Sequence, residues 1–280
     1  MRPLWYHQSP VSVRGLRLAR EPGTVLFWDA NHLLTWLTPA GVVYARWQAP
    51  SPLAAAACAD DGSAAVALGT QGQVWCFDHD LKPRWQRASA GKGLTVALAP
   101  FGGLLAVADG AGTIHFLDDK GRDAGKASNP RSFLHLAFVP ERPLLIGSAE
   151  FGSVAAFDLS GKRLWHDSPV AHCGSLATTG DGSLIALACY SDGLSCYDRR
   201  GAKRVGGPRP GPCRLVALSY DGTSLLTASL DGVVRRHDHD GKVRAEFCPE
   251  AAVTSLALDA LGTTGFIGLA NGTVMALGAA

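Results

Sequence analysis

Apolar residues in this chain come in runs of about five, and each run ends in glycine, aspartate or serine. Residues 172–207 set out the pattern. Gly174-Ser175-Leu176-Ala177-Thr178 gives way to Gly180-Asp181-Gly182, whose glycines accept the positive φ of a hairpin turn. Leu184-Ile185-Ala186-Leu187-Ala188 follows, then the turn Ser191-Asp192-Gly193, then Leu194-Ser195-Cys196-Tyr197. The turn Arg199-Arg200-Gly201 leads to a fourth, more polar strand near Lys203–Val205. No stretch keeps a 3.6-residue apolar period over the length of a helix. The pattern therefore predicts an all-β chain of short antiparallel strands.

The pattern repeats. Aspartate stands at Asp78, Asp118, Asp158, Asp198 and Asp238, each 40 residues from the last and each after a bulky or ring-bearing residue: Phe77, Leu117, Phe157, Tyr197, His237. The same phase reaches Leu37-Thr38 upstream and Leu277-Gly278 downstream. Glycine recurs at 72, 112, 152, 193, 232 and 272, and again at 62, 102, 182, 222 and 262, with Arg142 in the gap. Ala57, Ala97, Ala137, Ala177, Ala217 and Ala257 form a third register, in which Arg17 is the exception. Three phases with one period indicate seven repeats.

Four short antiparallel strands per ~40 residues make a β-propeller blade. Ring closure can be read from the ends of the chain. Arg2-Pro3-Leu4-Trp5-Tyr6-His7-Gln8-Ser9-Pro10-Val11 copies the fourth strand of repeat four, Lys162-Arg163-Leu164-Trp165-His166-Asp167-Ser168-Pro169-Val170. The seventh repeat stops at Thr273-Val274-Met275-Ala276-Leu277 with three strands. Residues 1–280 are thus expected to form a single seven-bladed β-propeller with four antiparallel strands per blade. Blade seven would combine 252–278 with 2–8, so that the N-terminal strand joins the C-terminal blade and leaves no open inner edge.

Composition refines the expectation. About three tight turns in each of seven blades account for the surplus of glycine, 33 of 280 residues. A formal charge of +2 exerts no global pull on nucleic acid or acidic lipid. No run approaches the roughly 20 apolar residues of a membrane helix, so no membrane insertion is expected. The opening residues lack the apolar core and cleavage site of a secretory signal. Seven cysteines, an odd number with no CxxC pair, read as reduced thiols of a cytoplasmic protein.

Asp221-Gly222-Thr223-Ser224-Leu225-Leu226-Thr227-Ala228-Ser229-Leu230-Asp231-Gly232-Val233-Val234 resembles a WD40 repeat. Phe157-Asp158-Leu159-Ser160-Gly161-Lys162-Arg163-Leu164-Trp165 is similar to the quinoprotein-type, PQQ-like blade, in which an aspartate, a Gly-Lys turn and a tryptophan recur. The resemblance covers the whole chain and implies the propeller, not a particular function. Quinone-binding relatives are typically larger, exported proteins with adjacent cysteines at the cofactor, and no Cys-Cys pair occurs here.

Individual residues can then be weighed. Trp5, Trp47, Trp85 and Trp165 read as wedges between neighbouring blades. The recurrent aspartates read as acceptors of backbone N–H groups in Asx-type turns, and their spacing puts them on five different blades. The first strands carry no Asp or Glu, whereas a channel-held calcium or zinc needs several converging carboxylates. The channel's ionisable candidates are Arg14, Arg17, His135 and Arg214. For Arg17 two readings stand: an anion or water ligand, or an alignment slip in the divergent first repeat. Cys173 and Cys213 read as small buried hydrophobes.

One charge feature exceeds background. Arg199, Arg200, Lys203 and Arg204, followed by Arg235 and Arg236, are expected on the outer strands of repeats five and six as a docking face for an acidic partner. A solvated outer face is the alternative reading. Nucleic acid on the same basic face ranks below a protein partner. Arg131, Phe151, His172, Tyr190 and Arg209 fall on the rim formed by fourth-to-first connections and second-to-third turns, as aromatic and cationic groups of the hot-spot type. The expectation is a non-enzymatic protein–protein interaction scaffold with no cofactor, a monomeric propeller within a larger complex. The alternative is a quinoprotein-like ligand-binding or enzymatic propeller that uses the channel mouth.

Overall fold

The computed structural model describes residues 1–88, 91–149, 152–168, 172–204 and 210–278. Its secondary structure is strand and turn throughout, and its seven antiparallel sheets stand in a ring: a seven-bladed β-propeller. The inner strands, Val13–Ala19, Leu53–Cys58, Gly93–Leu98, Phe133–Val139, Cys173–Thr178, Cys213–Leu218 and Val253–Leu258, neighbour one another around the axis. No helix among the described residues is long and apolar enough to cross a membrane.

The ring closes as the repeat arithmetic requires. Strand Arg2–Gln8 pairs with Thr273–Gly278, in the order Arg2–Gln8, Thr273–Gly278, Thr264–Leu269, Val253–Leu258. Gln8 Nε2 donates to Asn271 O at 2.9 Å, and Thr273 Oγ1 donates to Gln8 Oε1 at 3.0 Å. The seam to blade one is latched by the buried Ser9 hydroxyl, which donates to Asp29 Oδ2 at 2.8 Å.

A propeller has no room for a central core. Its buried apolar residues fall instead into seven clusters, each spanning two adjacent blades. Trp28, Trp36, Trp75 and Phe77 fill the seam between blades one and two, and Trp47 lies 4.7 Å from Phe77 between ring centroids. Each blade can bury its faces only against its neighbours, so a missing sector would expose two seams.

The tryptophan wedges carry a polar contact as well. Trp5 Nε1 donates to Pro39 O at 2.8 Å, Trp85 Nε1 to Asp119 O at 2.7 Å and Trp165 Nε1 to Arg199 O at 2.9 Å. In each case the acceptor lies 34 residues on, in the last turn of the next blade. Gly41 in that turn leaves space for the indole: a Cβ there would stand 2.6 Å from the Trp5 ring. Trp5 itself is half-buried rather than fully buried, because it sits on an outermost strand. Trp47 makes the ring contacts without this hydrogen-bonding partner, two residues beyond the register position held by Ala45.

All five recurrent aspartates cap their turns through Oδ1. Asp78 accepts the N–H groups of Asp80 and Lys82, each at 2.9 Å, and Asp118, Asp158, Asp198 and Asp238 accept those of the equivalent residues. Thr38 plays a similar part in blade one, its Oγ1 accepting the Val42 N–H at 3.2 Å. Among the described residues His32 (φ 62°) and Leu81 (φ 57°) are the positive-φ residues other than glycine, and both stand where the 40-residue register elsewhere places glycine.

In blade five the described residues form a three-stranded sheet, and of the fourth strand they include a bridge between Tyr197 and Lys203 and an Arg204 N–H bond to Cys196 O at 2.9 Å. Residues 205–209 lie outside the described part of the chain.

Candidate functional site

Two regions hold side chains in excess of what the fold needs: the central channel and one sector of the rim. The channel is shaped by a feature common to all seven inner strands. Pairing with the second strand slips after the first residue, as between Val13 and Gly15 or Phe133 and His135. A bulge of this kind bends the strand and leaves one residue unpaired. At the opposite end the first hairpins link blade to blade through backbone bonds. Glu21 N donates to Asp60 O, Asp60 N to Pro100 O, Glu141 N to Gly180 O, Gly180 N to Tyr220 O and Tyr220 N to Ala260 O, at 2.7–2.9 Å. Proline at 100 has no N–H to pass the relay onward.

Between mouth and collar lies a cavity of about 400 Å³ lined by all seven inner strands. Most of its wall is Ala, Leu and Val. Its polar groups come from Arg14, Arg17, Arg20, Asp60, Thr95, His135, Ser175, Thr178, Thr254 and Ser255, with the Cys58 thiol and the Trp28 ring.

The structure removes one of the two readings of Arg17, the alignment slip. Arg17 pairs with Leu26 as Ala57 pairs with Val66, Ala97 with Ala106 and Ala217 with Leu226, so no alignment slip occurs. One guanidinium stands in a ring of six alanines. Its Nη1 donates to Leu16 O at 2.9 Å, and its Cζ lies 5.7 Å from the centroid of the Trp28 ring, a cation–π distance. Gly15 makes this possible, because any Cβ there would fall within the Trp28 indole. Water reaches Arg17 along the channel, yet protein crowds it from all sides, and that desolvation lowers its pKa.

The same crowding acts on its neighbours. Burial lowers His135 to about 4, against a bond to the Cys173 backbone that raises it, and Arg17 lowers it further. Burial pushes the Cys58 thiol up, so it stays protonated. Asp60, the one carboxylate lining the cavity among the described residues, is raised first by burial and further by Glu21 and Asp61, against the pull of Arg20. Arg214, expected in the channel, is exposed and outside the cavity lining, although its counterparts at the same bulge, Arg14 among them, line it.

The rim residues separate as follows. His172 and Tyr190 come together at one end of blade five, where the Tyr190 N–H donates to His172 O at 3.1 Å. Both are exposed, Tyr190 at 37%. Arg131 is exposed at the equivalent edge of blade four, its carbonyl accepting from Asn129 Nδ2 at 2.8 Å. Phe151 and Arg209 lie outside the described residues.

The basic face divides in two. Arg235 and Arg236 lie on the third strand, Val234–Asp238, and not on the outer strand as expected. Pairing with Val243–Phe247 sets Arg235 opposite Glu246. Arg235 Nε bonds to Glu246 Oε1 at 2.7 Å, and Nη2 to Asp231 Oδ2 at 3.1 Å. A Ser229 hydroxyl bond and then Arg235 pull Asp231 down to about 2. Arg236 Nε donates to Ser224 Oγ at 3.1 Å. These two cations are occupied within their own blade. Arg199, Arg200, Lys203 and Arg204 lie along the last turn and outer edge of blade five, and among the described residues none of them forms a salt bridge.

Sequence reading missed Arg20, Asp60, Cys58 and Trp28 as channel residues. They stand at or just past strand ends or on a second strand, where no first-strand register reaches. Gly15 was the available signal, a glycine at a position where the other repeats carry side chains. The chain matches no protein-family model and no curated protein sequence.

Proposed function

We propose that this propeller is a non-enzymatic platform for a protein partner with an acidic surface, engaged through blade five. The observation that carries the reading is the contrast between blades five and six. Blade six spends its arginines on Asp231, Glu246 and Ser224, whereas Arg199, Arg200, Lys203 and Arg204 on blade five form no salt bridge among the described residues, Arg199 and Lys203 acting on Asp181 and Asp167 only at longer range. The same blade presents Tyr190 and His172 at the rim. Unneutralised cations speed association with an acidic surface, and a half-exposed tyrosine offers contact area at small entropic cost. The propeller fold is compatible with the platform reading, and the unpaired thiols support a cytoplasmic setting.

The test is affinity purification from the native cell with the wild-type chain and with a variant carrying Arg199→Glu, Arg200→Glu, Lys203→Glu and Arg204→Glu. The platform reading expects a salt-sensitive partner that the reversed variant loses. Equal recovery of the same proteins by both chains refutes it. The channel cavity favours a second reading, a ligand-binding propeller of quinoprotein type. Stoichiometric quinone, detected by absorbance and mass spectrometry of the purified protein, would establish that reading in place of the first.

A further inference from the structure

We infer that the central channel is a binding site for a small oxyanion, carboxylate or phosphate, held by the guanidinium of Arg17. The inference is independent of the reading of blade five.

Arg17 stands at a position where six blades have alanine and the ring closes without a side chain, so the fold itself does not ask for a cation there. A guanidinium has five N–H donors. One is used, on Leu16 O, and the ring face rests on Trp28. No carboxylate among the described residues lies within salt-bridge distance of it. Its remaining donors open onto the channel, and the planar fork of a guanidinium matches a carboxylate or phosphate in bidentate fashion.

The surroundings select for negative charge. Arg14, Arg17 and Arg20 line the cavity against the single carboxylate Asp60, whose charged form burial disfavours. The volume, about 400 Å³, falls within the range of small-molecule sites and is too confined for a folded partner. Since the remaining wall is largely Ala, Leu and Val, the pocket suits an oxyanion with a short apolar remainder.

Calorimetric titration of the full chain with inorganic phosphate and, separately, with succinate and butyrate tests this. Arg17→Ala is the informative variant, because it installs the residue that the other six blades already carry and so should fold. One probe is expected to saturate the wild type at one anion per chain, and that probe identifies the oxyanion class. Loss of a charge-assisted contact corresponds to roughly tenfold to hundredfold weaker binding in Arg17→Ala. Arg163→Ala, which removes the same charge from the exposed outer strand of blade four, should leave the affinity unchanged. Failure of all three probes to bind the wild type, undiminished binding by Arg17→Ala, or equal weakening in both variants would each overturn the proposal.

Discussion

Removing Trp5 isolates the closing seam, because its indole bridges the first strand of the chain and the blade that follows. In Trp5→Ala the ring contact with Phe266, 6.1 Å between centroids, and the packing above Gly41 are lost. A fully buried aromatic-to-alanine change costs about 3–5 kcal/mol. Trp5 is half-buried, so packing accounts for about 2 kcal/mol. The exposed Nε1–H···O bond to Pro39 adds about 0.5–1 kcal/mol. The sum, about 2–3 kcal/mol, corresponds to a melting temperature lower by about 3–5 °C in a chain of 280 residues. Trp5→Phe keeps a ring and should lose about 1 kcal/mol. Trp85→Ala is the control, since Trp85 makes the same bond to Asp119 O at a seam where the chain is continuous. Thermal melts give the magnitude, and amide hydrogen exchange gives the location. Exchange at Thr273–Gly278, the strand that pairs with Arg2–Gln8, should rise in Trp5→Ala and not in Trp85→Ala. A Trp5→Ala melting temperature within about 2 °C of wild type, or identical exchange in the two variants, would refute the closure argument.

Two further outcomes follow from the same structure. Gly41 and Gly232 both hold positive φ, +79° and +85°, but a Cβ at Gly232 meets nothing within 4 Å. Gly232→Ala should therefore cost about 1–2 kcal/mol for the left-handed backbone alone, and Gly41→Ala measurably more in urea unfolding; equal costs would mean that the Trp5 ring is not closely seated. His135, lowered by burial to about 4 from an ordinary 6.5, stays neutral in the fold while the unfolded imidazole protonates. Stability should therefore fall as pH drops from about 6.5 to about 4, by up to about 3 kcal/mol with channel water reducing the figure. Denaturant titrations of wild type and His135→Asn across that window should converge as the pH falls, and a constant gap would exclude His135 as the source.

Much of the architecture was legible before any coordinates, for a physical reason. Each blade makes the same turns and buries the same faces, so the constraint on each position recurs every 40 residues, as Asp78 through Asp238 show. The copy of the Trp165 strand at Trp5 betrayed closure, because both indoles need the same carbonyl in the following blade. Position within a blade could be inferred from register. Partnership between blades could not.

That limit separates the two sources. Sequence alone determined the all-β class, the number of blades and the strand that completes the ring, since local turn chemistry and periodic burial act along the chain. Tertiary structure alone decided the rest. Arg235 faces Glu246 because two strands pair, while the cations of blade five form no salt bridge among the described residues. Arg17, a single exception in a column of alanines, acquires its meaning when seven strands converge and surround one guanidinium with Trp28, His135 and Cys58. Those contacts join residues tens to more than a hundred positions apart, and their energies depend on distances and desolvation that no linear pattern contains.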